Sequence, residues 1–437
     1  MAEPARLIRA RTLSFRRAPE GPGDAAALDH REDGALLIRE GRIAAAGDYA
    51  AIAPGARDAE VIDHRPHLVL PGFIDPHIHF PQSQVVASWG ADLLDWLARY
   101  TFPEEARYAD PDLARAMAGP FLDRLAAAGT TTAAVYGSSH AASVEALFAE
   151  AERRGLRLVA GKVMMDREAP EGVRDTAQSA YDDSKALIAR WHGRGRLGYA
   201  ITPRFAITST PAQLEAAGAL AAEHPGCLRQ THMSESLAEI ARVRELFPKA
   251  RDYLDIYEQA GLLGPELLLG HCIHLEPREV ARMAETGSRA IFCPTSNLFL
   301  GSGLFDAARL HGAGVVTGVA TDIGGGTSWS MLATLGEGYK ALALRGQRLH
   351  PYEAFHWATR GNAVAMGLGD RIGTLVAGME ADLVVLDARA TEPMRLRMTR
   401  AETLVEELFV LQIMGDERAV AQCYIDGCPQ LGPGVTR

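Results

Sequence analysis

An apolar run with the composition of a buried β-strand precedes two histidines, His77 and His79, that are separated by a single residue. Alternate side chains of a strand project to the same face, so both imidazoles are expected side by side. A pair placed in this way suits a divalent transition metal, most often zinc. A chance pair in a loop is the alternative, because the chain has 14 histidines. The other metal-type side chains of the sequence decide between these interpretations.

The region around this pair alternates apolar strand-like runs with helical segments rich in Ala, Leu, Glu and Arg. Eight strands are predicted, at residues 68–79, 130–136, 157–165, 197–205, 228–235, 267–275, 289–297 and 315–323. Helical patterns separate them, among others at residues 111–128, 143–154, 176–191, 211–223 and 277–285. Eight β-then-α units predict an α/β fold, a (β/α)8 TIM-like barrel, whose functional groups lie at the C-terminal ends of its strands.

Both ends of the chain have β-character instead. Residues 36–47 hold two apolar runs around Glu40-Gly41, which predicts a hairpin. Residues 381–387 and 419–425 read as further strands. We therefore expect a small composite β-sandwich domain from residues 1–67 and 371–437, around a barrel domain of residues 68–370.

The barrel hypothesis makes the metal site testable, because chemistry-bearing residues should follow strand ends. Strand one ends in His77 and His79, strands five and six end in His232 and His271, and strand eight ends in Asp322. A core histidine or a helix N-cap would explain any one of them alone. Five such side chains at the same end of four strands predict a metal site.

A carboxylate, Glu235, lies three residues after His232, just past the predicted strand. A carboxylate close to a metal-activated water can shuttle protons, and Asp322 can both touch the metal and accept a proton from the water. The alternative for Glu235 is a surface glutamate that caps the helix predicted at residues 236–246.

Charge and composition narrow the functional class. The 437-residue chain is 47% hydrophobic and 23% charged, with a formal net charge of −10. It has no Lys/Arg-rich run, so nucleic acid is not an expected partner. We expect no membrane partner either, since neither a signal peptide nor a spanning apolar run is visible. The five scattered cysteines indicate free thiols in a reducing cytoplasm. Cys272, beside His271, is expected to point away from the site.

The site residues carry a family resemblance. The segment 71–79 (Pro-Gly-Phe-Ile-Asp-Pro-His-Ile-His), with His232, His271 and Thr321-Asp322, resembles the amidohydrolase superfamily. That superfamily combines a metal-bearing barrel with a β-sandwich from both chain ends. Longer stretches are similar to its guanine-deaminating branch; they are residues 77–84, 96–105, 202–205, 232–235, 292–303 and 321–332.

The resemblance implies a zinc-dependent hydrolysis of guanine to xanthine and ammonia. It implies one zinc per chain, held by the five residues above, and catalytic roles for Glu235, Asp322 and His271. Glu235 would protonate the ring nitrogen beside the attacked carbon, and Asp322 would take the proton from water. A homodimer is the family expectation.

Guanine recognition would fall to Gln82, Arg204 and Phe205. A flat ring rich in donors and acceptors independently suits an amide, a guanidinium and an aromatic face. The alternatives are a surface salt bridge for Arg204 and ordinary core packing for Phe205. Trp89 and Leu93 either close the pocket or are packing residues.

Three other interpretations compete. One is a related hydrolase that removes an amino or chloro group from a different nitrogen heterocycle. Another is a two-metal cyclic-amide hydrolase, which would need a carbamylated bridging lysine. Lys162 lies on predicted strand three, whereas the resemblance places such a lysine on strand four, which carries Arg204. The sequence therefore favours one metal. The last is a catalytically inactive barrel kept as a scaffold, against which the complete ligand set and Glu235 argue.

Overall fold

The computed structural model describes residues 5–430. Its β-strands are β1 (Arg6–Phe15), β2 (Leu28–Arg39), β3 (Arg42–Asp48), β4 (Glu60–Pro71), β5 (Phe73–His79), β6 (Thr130–Tyr136), β7 (Arg157–Gly161), β8 (Val163–Met164), β9 (Leu197–Pro203), β10 (Leu228–Met233), β11 (Leu267–His271), β12 (Arg289–Phe292), β13 (Thr317–Val319), β14 (Leu383–Leu386), β15 (Val420–Ile425) and β16 (Cys428–Pro429).

Its α-helices are α1 (Tyr49–Ile52), α2 (Leu93–Trp96), α3 (Phe102–Arg107), α4 (Pro111–Ala127), α5 (Ala141–Arg153), α6 (Ala177–Trp191), α7 (Pro211–Glu223), α8 (Leu237–Leu246), α9 (Tyr253–Gln259), α10 (Pro277–Thr286), α11 (Pro294–Phe299), α12 (Ala307–Gly312), α13 (Met331–Leu344), α14 (Pro351–His356), α15 (Asn362–Ala365), α16 (Glu392–Met398) and α17 (Leu404–Met414). The π-helical turns Leu97–Thr101 and Trp357–Gly361 continue α2 and α14. None of the described helices is long and apolar enough to cross a membrane.

Parallel strands form the barrel in the order β5-β6-β7-β9-β10-β11-β12-β13, with the short β8 paired to β9. Helices follow the strands, which confirms the predicted (β/α)8 architecture. Small and branched side chains from six strands fill the interior, as close packing of a barrel core requires. They are Ile74, Ala134, Val159, Ala200, Leu268 and Ile291.

The barrel closes between β13 and β5 without a strand ladder. The side chain of Asn362 bridges them instead: Nδ2 donates to the carbonyls of Ile74 (2.7 Å) and Val319 (2.8 Å), and Oδ1 accepts from the amide of Val319 (3.0 Å). Beyond the strand ends, the amide of Asp322 donates to the carbonyl of His77 at 3.0 Å. This last bond fixes the position of Asp322 relative to the two histidines of β5.

Both chain ends contribute to one seven-stranded sheet, in the order β16-β15-β14-β4-β1-β2-β3. The predicted hairpin is confirmed: β2 and β3 are antiparallel, and Glu40 and Gly41 of the turn have φ of 49° and 71°, as a tight hairpin turn requires. The strand predicted at residues 68–79 divides at Gly72, because residues 68–71 belong to β4 and pair with β14. Residues 1–4 and 431–437 of the predicted end segments lie outside the described residues.

A buried ion-pair network joins residues 380–382, which lead into β14 of the terminal sheet, to the barrel. Arg157 of β7 donates to Glu380 at 2.7 Å through Nε, and Arg196 donates to Glu380 at 2.9 Å and also pairs with Asp382. Burial strengthens these interactions because little water screens them. The sheet is therefore held at the end of the barrel where the strands begin, opposite the rim that carries the histidines.

Candidate active site

The five predicted metal-type side chains converge at the C-terminal rim of the barrel. His77 and His79 lie at the end of β5, His232 lies on β10, His271 ends β11, and Asp322 follows β13. Asp322 Oδ1 lies 3.4 Å from Nε2 of His77 and 3.3 Å from Nε2 of His79, and its Oδ2 lies 3.9 Å from Nε2 of His271. Nε2 of His232 lies 3.2 Å from Nε2 of His79.

The chemistry of this cluster fits a divalent metal. Neither ring nitrogen of His77 has a hydrogen-bond partner, although both are buried. Burial lowers the pKa of His77 and brings that of His79 to about 3, so both rings are neutral and offer lone pairs. Burial alone would raise the pKa of Asp322, but its contacts with His77 and His79 hold that pKa well below the usual range. Neutral imidazoles around an anionic carboxylate form a typical nitrogen and oxygen donor set for zinc.

Two further contacts orient the rings. Nδ1 of His232 donates to the carbonyl of Arg204 at 2.7 Å. Because a carbonyl only accepts, Nδ1 carries the proton and Nε2 presents its lone pair to the cluster. The side-chain amide of Asn297 lies 3.0 Å from Nδ1 of His271, and its oxygen otherwise has no hydrogen-bond partner. With that oxygen turned to His271 it accepts from Nδ1–H, which leaves the lone pair of Nε2 directed at the cluster. Such outer contacts fix ring orientation at metal sites.

Two of the cluster residues hold uncommon backbone conformations. His271 and Asp322 have φ of 73° and 53°, in the left-handed region. Few residues other than glycine adopt this region, and those that do concentrate at functional sites. The turn after each strand thus directs the side chain to the centre of the rim.

Glu235 lies beside the cluster rather than on the surface. Its Oε2 is 3.4 Å from Nε2 of His271, and its Oε1 accepts from the hydroxyl of Ser302 at 2.8 Å. Burial, together with the negative charge of Asp322, raises the pKa of Glu235 to about 8. A carboxyl group with a pKa near neutrality is suited to give and take protons. The helix predicted behind it begins at Leu237, and its cap is Ser236.

A cavity opens above the cluster. Among the predicted substrate-binding residues, Gln82, Leu93, Arg204 and Phe205 line it. The ring of Phe205 approaches that of His232 edge-on, with centroids 6.4 Å apart. The cavity therefore has the metal-type cluster and Glu235 on one side, and an amide, a guanidinium and aromatic and aliphatic surfaces on the others.

Trp89 and Lys162 lie elsewhere. The Trp89 side chain is outside the cavity lining and 68% exposed, because it precedes α2 on a surface loop, with the guanidinium of Arg99 5.8 Å from its ring centroid. Lys162 is buried and pairs with Asp175, Nζ to Oδ2 2.6 Å. Trp89 thus does not contact the cavity in this conformation, and Lys162 has a partner of its own.

Of the two cysteines near the rim, Cys293 rather than Cys272 approaches the cluster. Its Sγ lies within 4.8 Å of the donor atoms of His77, His271 and Asp322. Burial raises the pKa of the Cys293 thiol well above its usual value, which favours its protonated form. The Cys272 thiol donates to the carbonyl of Leu269 at 3.5 Å, away from the site.

Comparison with known proteins agrees with this geometry. The family model described as "Amidohydrolase family" matches residues 68–428. The chain belongs to the amidohydrolase family. Within this family it is similar to guanine deaminase of Escherichia coli, at 46% identity over 97% of each chain.

Two solved structures are similar to this chain over nearly their whole length. The solved structure of E. coli guanine deaminase gives a TM-score of 0.94 at 45% identity, covering 98% of this chain and 99% of that one. Guanine deaminase from C. acetobutylicum, described with bound guanine in its active site, gives 0.88 at 25% identity, covering 97% and 99%. The shared fold includes both the barrel and the sheet from the chain ends.

Three side chains that support this amidohydrolase site were not predicted from the sequence: Glu105, Asn297 and Ser302. Glu105 is completely buried and contacts both Gln82 and Arg204. All three lie in stretches that carried the family resemblance, 96–105 and 292–303, so a signal was present. That resemblance did not indicate a role for any of them, because none of the three lies at a strand end.

Proposed function

We propose that this protein is a zinc-dependent guanine deaminase, which hydrolyses guanine to xanthine and ammonia. The observation that carries the proposal is the position of the cavity, which lies between the histidine–aspartate cluster and Glu235 and has Arg204 and Gln82 on its walls. The similarity to guanine deaminases over nearly the whole chain supports the substrate.

His77, His79, His232, His271 and Asp322 would hold one zinc ion. When bound, the metal supplies Lewis acidity that makes water nucleophilic near neutral pH. Lys162 is paired with Asp175, which favours one metal rather than a bridged pair.

Glu235 and Asp322 divide the proton transfers. Water adds to the ring carbon that bears the amino group, and Asp322, held anionic by its histidine neighbours, takes a proton from it. Glu235, with its pKa of about 8, gives a proton to the adjacent ring nitrogen. Asp322 then passes its proton to the amino group, and the carbon–nitrogen bond breaks as ammonia leaves. The remaining hydroxyl proton returns to Glu235 as the ring carbonyl forms, so one water is consumed for each ammonia released. His271 keeps Glu235 close, at 3.4 Å.

Recognition of the base falls to the cavity walls. Arg204 offers guanidinium donors, Gln82 offers an amide, and Phe205 offers an aromatic face. Leu93 contributes apolar surface. A planar base with an exocyclic carbonyl satisfies these groups better than an aliphatic amide does.

The test is purified zinc-loaded protein with guanine, followed by ultraviolet absorbance and ammonia release. Ammonia produced in step with the guanine-to-xanthine spectral change, and lost with a chelator, is the expected result. Absence of turnover in zinc-loaded protein would refute guanine as the substrate. A panel of other aminated or chlorinated nitrogen heterocycles, assayed in parallel, would then identify the substrate class.

The homodimer remains a prediction from the family resemblance, and the cytoplasmic location remains a prediction from the five scattered cysteines. Light scattering of the purified protein tests the first, and a fluorescent fusion imaged in cells tests the second.

A further inference from the structure

The buried carboxylate of Glu105 accepts hydrogen bonds from both polar side chains proposed to bind the base, Arg204 and Gln82. Arg204 Nη1 donates to both oxygens of Glu105, at 2.8 and 2.7 Å, and Gln82 Nε2 donates to Oε1 at 2.9 Å. Glu105 lies on α3 and is 0% exposed, so solvent does not compete for these bonds. Charge-assisted bonds of this kind are short and directional.

The contacts fix which way the Gln82 amide faces. A carboxylate paired with a guanidinium only accepts, so the NH2 group of Gln82 must face Glu105. At the other end, Oε1 of Gln82 accepts from the amide of Gly324 at 3.1 Å, and a backbone N–H only donates. Flipping the amide would break both bonds and leave buried groups unpaired, which is costly.

The contacts also decide which Arg204 donors remain for the substrate. Both bonds to Glu105 use Nη1, and among residues 5–430 no acceptor takes the hydrogens of Nε or Nη2. The guanidinium is planar, so fixing one nitrogen fixes the direction of the others. The cavity wall thus presents donors without an acceptor at this point.

We infer that Glu105 is a positioning residue that makes the pocket select bases with an exocyclic carbonyl over bases with an amino group at the same position. The inference rests on the proposed function. Guanine carries a carbonyl oxygen, an acceptor, where 2,6-diaminopurine carries an amino group, a donor, and both keep the amino group that would react. The donors that Glu105 positions can bond the carbonyl oxygen of guanine. In 2,6-diaminopurine they would instead face another donor.

The experiment compares wild type with Glu105→Gln on both bases. The Kd is followed by tryptophan fluorescence, since Trp96 lines the cavity, and KM and kcat are followed by ammonia release. A neutral amide keeps one acceptor oxygen, but it loses the second bond to Arg204 and the negative charge that strengthens all three bonds, so it holds Arg204 and Gln82 less firmly. We expect the Kd and KM for guanine to rise about tenfold to a hundredfold, with a smaller change in kcat and with zinc retained. The preference for guanine over 2,6-diaminopurine should fall accordingly.

Glu279→Gln is the matched control. Glu279 is also buried, and it accepts from the backbone amides of Leu254 and Glu276, remote from the base. Its variant should keep the wild-type base preference. The double variant Glu105→Gln with Gln82→Ala should raise KM by less than the product of the single effects, because both changes remove the same bond.

A folded Glu105→Gln variant with wild-type preference would overturn the inference. If that variant does not fold, Glu105→Asp decides. Its carboxylate is withdrawn by one methylene and cannot reach both partners, so an unchanged preference would make Glu105 purely structural. A wild type that turns over neither base would refute the proposed function, whereas the Kd ratio would still decide the role of Glu105.

Discussion

The hydroxyl of Ser302 donates to Oε1 of Glu235 at 2.8 Å, and the carbonyl of Ser302 accepts from Nε2 of His274 at 2.7 Å. The serine is thus fixed through its backbone while its side chain holds the carboxyl group. Burial raises the pKa of Glu235, and the Ser302 hydroxyl opposes this rise by stabilising the anion. This contact thus positions the proton donor and moderates the rise of its pKa.

Replacement of Ser302 by Ala should shift the alkaline limb of the pH–rate profile to higher pH. Without the hydroxyl the Glu235 anion loses a stabilising bond, its pKa rises, and the protonated form persists to higher pH. The profile of kcat/KM against pH measures the shift. Ser139→Ala is the control, since that buried hydroxyl has no hydrogen-bond partner and lies outside the cavity lining. A shift to lower pH in Ser302→Ala would contradict the assigned contact.

Replacement of Glu235 by Gln should preserve fold and metal while reducing turnover. The amide keeps the shape of the side chain and can still bond Ser302, but it cannot transfer a proton. General acid–base catalysis contributes about a hundredfold to ten-thousandfold, and kcat should fall by a factor in that range. Zinc content and circular dichroism should match wild type. Turnover at the wild-type rate would remove Glu235 from the mechanism.

The cluster could be predicted from the sequence because parallel strands place their ends on a common rim. His77, His232 and Asp322 each follow a visible apolar run, and their types alone indicate a metal. The contacts of Glu105 could not be predicted in this way. It is separated by 23 residues from Gln82 and by 99 from Arg204, and burial of a charged residue leaves no mark in composition.

Two other differences have similar causes. The run of apolar residues at 68–79 continues through Gly72, so nothing in its composition marks the passage from the terminal sheet to the barrel. Trp89 has the chemistry of a pocket residue, but a loop places it in solvent, and loop geometry is not encoded by hydrophobic periodicity.

Replacement of Asn297 by Ala should weaken zinc binding without removing a ligand. The Asn297 amide lies against Nδ1 of His271, and loss of such a partner typically costs about tenfold to a hundredfold in metal affinity. Competition with a chromophoric chelator measures the zinc Kd. Ser296→Ala is the control, because Ser296 directly precedes Asn297 and its buried hydroxyl has no hydrogen-bond partner. Equal Kd values for Asn297→Ala and wild type would show that the amide does not support His271.

Replacement of Lys162 by Met should lower stability and leave the metal content at one ion per chain. The change strands the buried carboxylate of Asp175, and breaking a buried pair from one side costs about 3–5 kcal/mol. Urea unfolding measures the free energy, and elemental analysis counts the metal. The double variant Lys162→Met with Asp175→Asn removes the unpaired charge and should recover part of the loss. Release of metal from a stably folded Lys162→Met protein would instead place the lysine at the metal centre and favour a two-metal hydrolase.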